Sequence, residues 1–162
     1  MNTKKLYCKK HLGLGLLLSA IFLFTACGTQ LVRGQPPMVR ITELSHQDNK
    51  INLQVNMRNL NGVDLDIQSI DFRLSVNDSE DELFAYNGPV GTNIVANGTE
   101  SWSVDVEEST ATRELLDKLE GGDIKSLPYV LKGSVISTSD GILRFEYEGH
   151  IYPLPGKPGH FR

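Results

Sequence analysis

The chain has 162 residues and a formal net charge of −4, which suits one small domain together with a leader segment. Because the charge is negative, the surface should repel nucleic-acid phosphates and anionic lipid headgroups, and we expect no nucleic acid among its partners. Only two cysteines are present, Cys8 and Cys27, which excludes a disulfide-rich scaffold.

The first 26 residues have the composition of a secretory signal peptide. They hold four lysines and no acidic residue, and the segment from Leu12 to Phe24 is an apolar run broken only by two glycines and a serine. This run is shorter than the about 20 residues that cross a bilayer, and small residues follow it at a cleavage point. An uncleaved anchor helix is the alternative.

The end of this leader, Phe24-Thr25-Ala26-Cys27, resembles the lipobox of bacterial lipoproteins, with Phe24 where the family usually has leucine. The resemblance implies cleavage before Cys27, a diacylglycerol on its thiol and an acylated amine. Gly28 stands where aspartate would mark inner-membrane retention, which implies the outer membrane, facing the periplasm. Loss of the leader removes four lysines and takes the net charge from −4 to −8. The mature chain then has neither a disulfide nor a thiolate nucleophile.

Residues 27–37 are predicted to be a lipidated tether, because they are polar, carry Gly34 and end in two prolines. From residue 38 onward the hydrophobic period is mostly two, which is typical of half-buried strands. This alternation predicts strands over residues 39–44, 51–57, 63–76, 83–86, 93–95, 102–106, 129–131, 135–136 and 142–152.

The alternation in the segment 63–76 shifts by one residue between Ile67 and Ile70. One extra residue is what a β-bulge supplies, so a bulge at Gln68-Ser69 is predicted. Two strands joined by a kink fit the pattern equally. Turns are predicted at residues 46–49, 59–62, 77–82, 87–89, 97–98 and 139–141, where Asn, Asp and Gly cluster.

Residues 109–120 depart from the strand pattern and predict the one helix of the domain. Ala111, Leu115 and Leu119 fall on one helical face, and Gly121-Gly122 supplies a C-terminal stop. The segment after Pro153 is rich in proline and glycine, and residues 156–162 are predicted to be a flexible tail.

About seven strands and one short helix predict an all-β domain over residues 38–155. The spacing of strands and turns is typical of an immunoglobulin-like (fibronectin III-like) β-sandwich. A closed barrel is the alternative. The single tryptophan, Trp102, alternates with buried positions and is predicted to belong to the core.

Six short motifs of this domain follow one another in a fixed order along the chain. They are the strand 51–57, Asn59-Leu60-Asn61, Phe72-Arg73-Leu74, Asn97-Gly98 ahead of Trp102, Tyr129 four residues before Gly133, and Gly149 two residues before Ile151. In this order they resemble the late embryogenesis abundant type 2 family, the Water stress and Hypersensitive response (WHy) domain, although Leu60 stands where the family usually has proline. The resemblance implies a fold and a stress-protection role, and its motif residues have structural roles.

The motif residues have a physical interpretation as fold determinants. Asn59 and Asn61 can adopt left-handed backbone conformations and bind exposed carbonyls where a strand ends. Gly133 and Gly149 suit bulges or a close approach of another backbone within strands.

The chemistry-bearing residues do not assemble into a catalytic or metal site in the sequence. The histidines, His11, His46, His150 and His160, are scattered singly, without metal-ligand spacing. The acidic loop 78–82 could attract a calcium ion but lacks the glycine and glutamate spacing of an EF-hand. No serine lies in a Gly-x-Ser-x-Gly motif. We therefore expect no enzyme activity, no cofactor, no metal and no small-molecule substrate.

The functional prediction is a lipid-anchored, non-enzymatic envelope protein that protects against desiccation or cold. Its partners would be the membrane, through the lipid on Cys27, and protein clients. The alternative is a binding or adaptor module that recognises an envelope protein through a sheet edge or loops, as sandwich domains commonly do.

Overall fold

The alternating segments form eight strands in a computed structural model that describes residues 32–47, 50–76 and 82–162, with Gln47 described by its backbone alone. One helix, α1 (Thr110–Gly121), lies between the fifth and sixth strands. The strands are β1 (Met38–Gln47), β2 (Lys50–Arg58), β3 (Leu65–Val76), β4 (Glu82–Ile94), β5 (Thr99–Glu107), β6 (Leu127–Ser137), β7 (Gly141–Ile151) and β8 (His160–Phe161).

These strands belong to two antiparallel four-stranded sheets. The first sheet has the order β5-β2-β1-β8, and the second has the order β4-β3-β6-β7. The predicted β-sandwich is therefore confirmed, and the closed barrel is wrong for the described part of the chain. Strands β4 and β5 are edge strands of their two sheets and follow each other along the chain.

The core lies between the sheets and is filled by every second residue of each strand. On β2, Ile51, Leu53, Val55 and Met57 are fully buried, while the polar residues between them are only partly covered. Burial of such side chains contributes about 1.5–3 kcal/mol each, so the period of two in the sequence fixes which face turns inward. Trp102 packs against this core, as predicted, and its indole N–H has no hydrogen-bond partner among the described residues.

Strand β3 is continuous and carries the predicted bulge. Its register to both neighbouring strands shifts between Ile67 and Ser69. Opposite β6 the extra residue is Gln68, whereas opposite β4 the extra residue lies on β4 itself, between Pro89 and Thr92. The alternative of two kinked strands is wrong. The bulge lets Ile67 and Ile70 both point into the core although they are three residues apart.

The turn predicted at residues 87–89 is wrong, because these residues lie inside strand β4. The chain stays in one strand from Glu82 to Ile94, and Pro89 pairs with Ser69 beside the bulge of β3. Because β4 is an edge strand, the missing N–H of Pro89 removes no bond from a further neighbour. The two short segments predicted at 129–131 and 135–136 also merge into one strand, β6.

Helix α1 begins and ends where the sequence indicated, but its buried face is rotated. Ser109 caps the helix by accepting a hydrogen bond from the Thr112 N–H at 3.1 Å, and Gly122 ends it with φ of 84°. Leu116 and Leu119 are buried, whereas Ala111, predicted on the inner face, is exposed. Thr112 takes the inner position instead because its hydroxyl donates to the Leu83 carbonyl at 2.8 Å.

The C-terminal segment is not the predicted loose tail. Strand β8 pairs with β1, and Phe161 is fully buried in the core. The backbone groups of Tyr152 and Arg162 exchange two hydrogen bonds, of 2.8 and 2.9 Å, which close a loop around the proline- and glycine-rich segment. The prediction from local composition was wrong because Phe161, a single aromatic residue near the C-terminus, anchors this segment in the core. The predicted turn at 46–49 begins later, since β1 continues to Gln47, and residues 48–49 lie outside the described residues.

Candidate functional site

The end of the sandwich that receives the N-terminal segment is built from four connections. They are residues 32–37 ahead of β1, residues 59–64 between β2 and β3, residues 95–98 between β4 and β5, and residues 138–140 between β6 and β7. We call this region the tether end, and the opposite end of the strands the far end. Cys27, the predicted lipidation site, lies outside the described residues.

Asn59 is the central residue of the tether end. Its side chain is fully buried, and its Nδ2 donates to the carbonyl oxygens of Val63, Ile94 and Val95 at 2.8, 3.0 and 3.2 Å. Its Oδ1 accepts from the backbone and side-chain amides of Asn61 at 2.8 and 3.0 Å. One neutral side chain therefore ties together the ends of β2 and β4 and the start of the β2–β3 loop.

Asn61 continues this network toward the N-terminal segment. Its Oδ1 accepts from the Gln35 N–H at 2.8 Å, and its Nδ2 donates to the Gln35 carbonyl at 2.9 Å. The pair of bonds copies the pattern of a backbone strand ladder, because an amide side chain offers the same donor and acceptor as a peptide group. We call Asn59 and Asn61 together the amide clamp.

Backbone bonds complete the tether end. Gly62 donates to the Val32 carbonyl at 2.9 Å, and Asn97 donates to the Asn61 carbonyl at 3.1 Å. The predicted Asn97-Gly98 turn is present, and Asn97 has φ of 59°. Asn59 and Asn61, for which the sequence suggested left-handed conformations, do not have a positive φ. Residues 32–37, predicted to belong to the tether, are thus fastened to the sandwich, and only residues 28–31 separate them from Cys27.

The far end contains a second buried polar group, the Glu108 carboxylate. Its side chain is 1% exposed, and it lies 3.2 Å from the His46 Nδ1. Arg113 donates to it through Nε at 2.9 Å and Nη2 at 2.8 Å. We call these three residues the carboxylate cluster. Nothing in the local sequence indicated it, since His46 is 62 residues away from Glu108.

The two motif glycines lie beneath aromatic rings of the second sheet. A Cβ at Gly133 would meet the Asp71 carbonyl oxygen and approach the Phe145 ring to 2.7 Å. A Cβ at Gly149 would approach the Tyr129 ring to 2.8 Å. Each glycine is the cross-strand partner of the residue whose ring covers it. The predicted close approach of backbone is present at Gly133, through the Asp71 carbonyl, whereas Gly149 is approached by a side chain, and the β6–β7 register has no bulge at either position.

Tyr129 is the one titratable group whose pKa departs clearly from its usual value in the described part of the chain. Burial raises the pKa of Tyr129 to about 12, and the neighbouring Tyr147 adds to the rise, while Arg40 and the hydrogen bond with the Ile41 backbone oppose it. The hydroxyl lies between the two sheets, where ionisation would place a charge in the core.

The side chains that could ligate a metal ion do not come together in one place in the part of the chain that the structure describes. Among the described residues, no three His, Cys, Asp or Glu side chains form a group that could hold a metal ion. His160 pairs with Glu43 at 3.2 Å, and the His150 ring stacks 6.1 Å from Tyr152. Residues 77–81 of the predicted acidic loop lie outside the described residues. Within the described ranges, no helix is both long enough and apolar enough to traverse a bilayer.

An open groove of about 560 Å³ lies between the two edge strands β4 and β5 near the far end. Each of these strands is paired on one side only, so the groove offers backbone groups as well as side chains. Its lining includes Glu82, Phe84, Tyr86, Asp105, Glu107 and Ser109.

Comparisons with known proteins give no family. No protein-family model matches the sequence, and no curated protein matches it. Similar solved structures include a protein from Archaeoglobus fulgidus, 11% identical over 72% of this chain and 96% of that chain, with a TM-score of 0.44.

Two further solved structures are similar at the same level. A protein from Arabidopsis thaliana is 15% identical over 82% of this chain and 95% of that chain, with a TM-score of 0.47. A candidate late embryogenesis abundant (LEA) protein is 14% identical over 93% of this chain and 88% of that chain, with a TM-score of 0.42. At this identity and TM-score a likeness supports no conclusion about family or function, so the WHy resemblance stays a prediction from the sequence motifs.

Proposed function

We propose that the chain is a lipid-anchored, non-enzymatic protein of the cell envelope, held in the outer membrane by acyl chains on Cys27. The observation that carries this proposal is the fastening of the N-terminal segment to the sandwich. Gly62 binds Val32, five residues after the proposed lipid site, and Asn61 binds Gln35, eight residues after it. A domain clamped this near to its anchor suits a protein that acts at the membrane surface.

We further propose that its role is protection during desiccation or cold. The motif resemblance and the net charge of −8 after cleavage support this role. The outer face of the first sheet is polar, with side-chain hydrogen bonds that join neighbouring strands: Asn52 to Asp105 at 2.7 Å, Gln54 to Ser103 at 2.5 Å and Asn56 to Ser101 at 3.1 Å. A like-charged, hydrated surface of this kind would keep unfolding clients or membranes apart as water is withdrawn.

Survival of a deletion strain after drying and after freezing and thawing tests this role. We expect lower survival than in the parent strain, restored by the wild-type gene and not by a Cys27→Ser gene expressed at the same level. Unchanged survival of the deletion strain would contradict the protective role. Full rescue by Cys27→Ser would contradict the need for the anchor.

The groove between β4 and β5 favours a second candidate function, an adaptor that binds an extended segment of an envelope protein. Addition of a strand to β4 would satisfy its open backbone groups, and Glu82 and Glu107 would favour a basic segment. A photo-crosslinking residue at Ala85, in the groove, tests this in intact cells, with Glu146 on β7 as the control position. One stoichiometric product from Ala85 alone supports the adaptor, and equal or no products from both positions contradict it.

A further inference from the structure

The exposed apolar side chains of the sandwich are concentrated at one end. Among the described residues, the large hydrophobic side chains that stay exposed are Val32 (45%), Val95 (59%), Ile136 (43%), Ile142 (61%) and Tyr152 (47%). All except Tyr152 lie at the tether end. We call Val32, Val95, Ile136 and Ile142 the apolar rim.

The positions of these residues follow from the strand pairing. Ile136 and Ile142 are cross-strand partners beside the β6–β7 turn, and Val95 follows the last residue of β4. Strands β4 and β7 are the two edges of the second sheet, so the rim extends across three strand spacings, about 14 Å. Val32 joins it through the bond between its carbonyl and Gly62.

The length of chain beyond the described residues limits how far this rim can be from the anchor. Five residue steps separate Cys27 from Val32, and five extended residues span at most about 18 Å. Because Asn61 holds residues 32–37 against the sandwich, this reach is measured from the tether end itself. A lipid on Cys27 would therefore keep the apolar rim, and not the far end, next to the bilayer.

The charges support the same orientation. Near the tether end the exposed charges have both signs: Arg33 and Arg58 are positive, and Asp64, Asp66 and Glu100 are negative. The exposed Glu82 and Glu107 belong to the opposite end of the strands. Anionic headgroups repel acidic groups over about a Debye length, so the far end is the one disfavoured at the surface.

We infer that the tether end is a membrane-contacting surface, in which the apolar rim rests on the lipid headgroups while the β4–β5 groove projects away from the bilayer. This inference rests on the proposed lipidation of Cys27 and names the orientation of the anchored domain. Aliphatic side chains at such a surface gain by leaving water for the headgroup and acyl boundary.

Site-specific labelling of the lipidated protein tests this orientation. Once Cys27 is acylated and the leader is cleaved, an introduced cysteine is the single free thiol. Ile142→Cys and Glu148→Cys provide a matched pair, because both residues are exposed on the same face of β7, at the tether end and toward the far end respectively. Each variant carries an environment-sensitive fluorophore and is reconstituted into vesicles of phosphatidylethanolamine and phosphatidylglycerol.

We expect iodide to quench the label at position 142 at least two-fold less than the label at position 148, with a blue-shifted emission at 142 alone. Val95→Cys should behave like Ile142→Cys, and Ala85→Cys, on the strand that precedes Val95, should behave like Glu148→Cys. Equal quenching at matched positions would overturn the orientation. The control without lipid carries Cys8→Ser as well as Cys27→Ser, so that the label is again confined to position 142. Protection at position 142 that persists in this control without vesicles would mean that a second copy covers the rim, and would also overturn the orientation.

Flotation of the same samples separates this inference from the proposed anchoring. If the wild-type protein floats with vesicles and the Cys27→Ser protein does not, anchoring holds and the quenching decides the orientation. If neither protein floats, the anchoring is refuted, and the inference is refuted with it.

Discussion

The two ends of the sandwich each bury a polar cluster, but the clusters differ in charge and in partners. The amide clamp at the tether end is neutral, and it bonds mainly to backbone groups of its own and neighbouring connections. The carboxylate cluster at the far end is ionic, and its His46 and Arg113 come from different elements. The amide clamp carries no charge, so its hydrogen bonds stabilise the tether end independently of pH over the ordinary range. The carboxylate cluster depends on the charge of Glu108, which a substitution can remove.

The largest expected effect comes from breaking the amide clamp. In Asn59→Ala, the carbonyls of Val63, Ile94 and Val95 lose the Asn59 donor, although Val95 keeps the Gly98 N–H. The backbone and side-chain amides of Asn61 lose the Asn59 acceptor, so the free energy of unfolding should fall by about 4 kcal/mol. Urea unfolding followed by the fluorescence of the single Trp102 measures the loss. Asn56→Ala, whose side chain bonds to Ser101 on the open sheet face, is the control and should cost about 0.5 kcal/mol. Equal effects at the two positions would contradict a special role of the clamp.

Raising the pH should weaken the protein through Tyr129. Its pKa is about 12 in the folded state and about 10 unfolded, so its contribution is full below pH 10 and is lost as the pH rises toward 12. The loss approaches about 3 kcal/mol at pH 12, because each pKa unit corresponds to about 1.4 kcal/mol. Urea unfolding between pH 9 and 12 should show a shallower decline in Tyr129→Phe than in the wild type. Parallel declines would show that another group is responsible.

Removing the charge from the carboxylate cluster should have a smaller effect than breaking the clamp. Glu108→Gln keeps the shape of the side chain but removes the negative charge that faces Arg113 and His46. Because Arg113 is partly exposed, water compensates in part. We expect a loss of about 2 kcal/mol in the free energy of unfolding. Glu107→Gln, one residue earlier and exposed, is the matched control and should change little. A loss as large as that of Asn59→Ala would remove the distinction between the two ends.

The smallest effect is expected at Gly149. In Gly149→Ala the new methyl group meets the ring of Tyr129, which can tilt away, so the cost should be about 1 kcal/mol. Thermal unfolding measures it. Because a tilted ring admits water to the hydroxyl, the alkaline loss attributed to Tyr129 should shrink in this variant. An unchanged alkaline loss would contradict that link.

The sequence predicted what depends on neighbouring residues and missed what depends on distant ones. The alternation of β2, the bulge at Gln68 and the Asn59-Leu60-Asn61 turn are local patterns, and the structure contains all three. The partner of Asn61 is Gln35, 26 residues away, and no local signal connects them. Phe161 is similar, since its burial depends on β1 and not on the proline- and glycine-rich segment before it.

The wrong prediction of a turn within β4 also arose because the outcome depends on residues far away in the sequence. Asn87-Gly88-Pro89 is a turn sequence by composition, and proline is unfavourable inside a sheet. The fold tolerates Pro89 because β4 has no neighbour on one side and a bulge on the other. Sheet order cannot be derived from the alternation of a single strand, so neither the edge position nor the groove beside β5 could be predicted.

The central claim, that acyl chains on Cys27 hold the tether end at a membrane, is tested most directly by the mass of the N-terminal peptide of the protein purified from its own cells. Mass spectrometry should find a chain that begins at Cys27 and carries a diacylglyceryl thioether together with an amide-linked fatty acid. A peptide that begins with the leader, or a Cys27 with a free thiol and a free amine, would contradict the account.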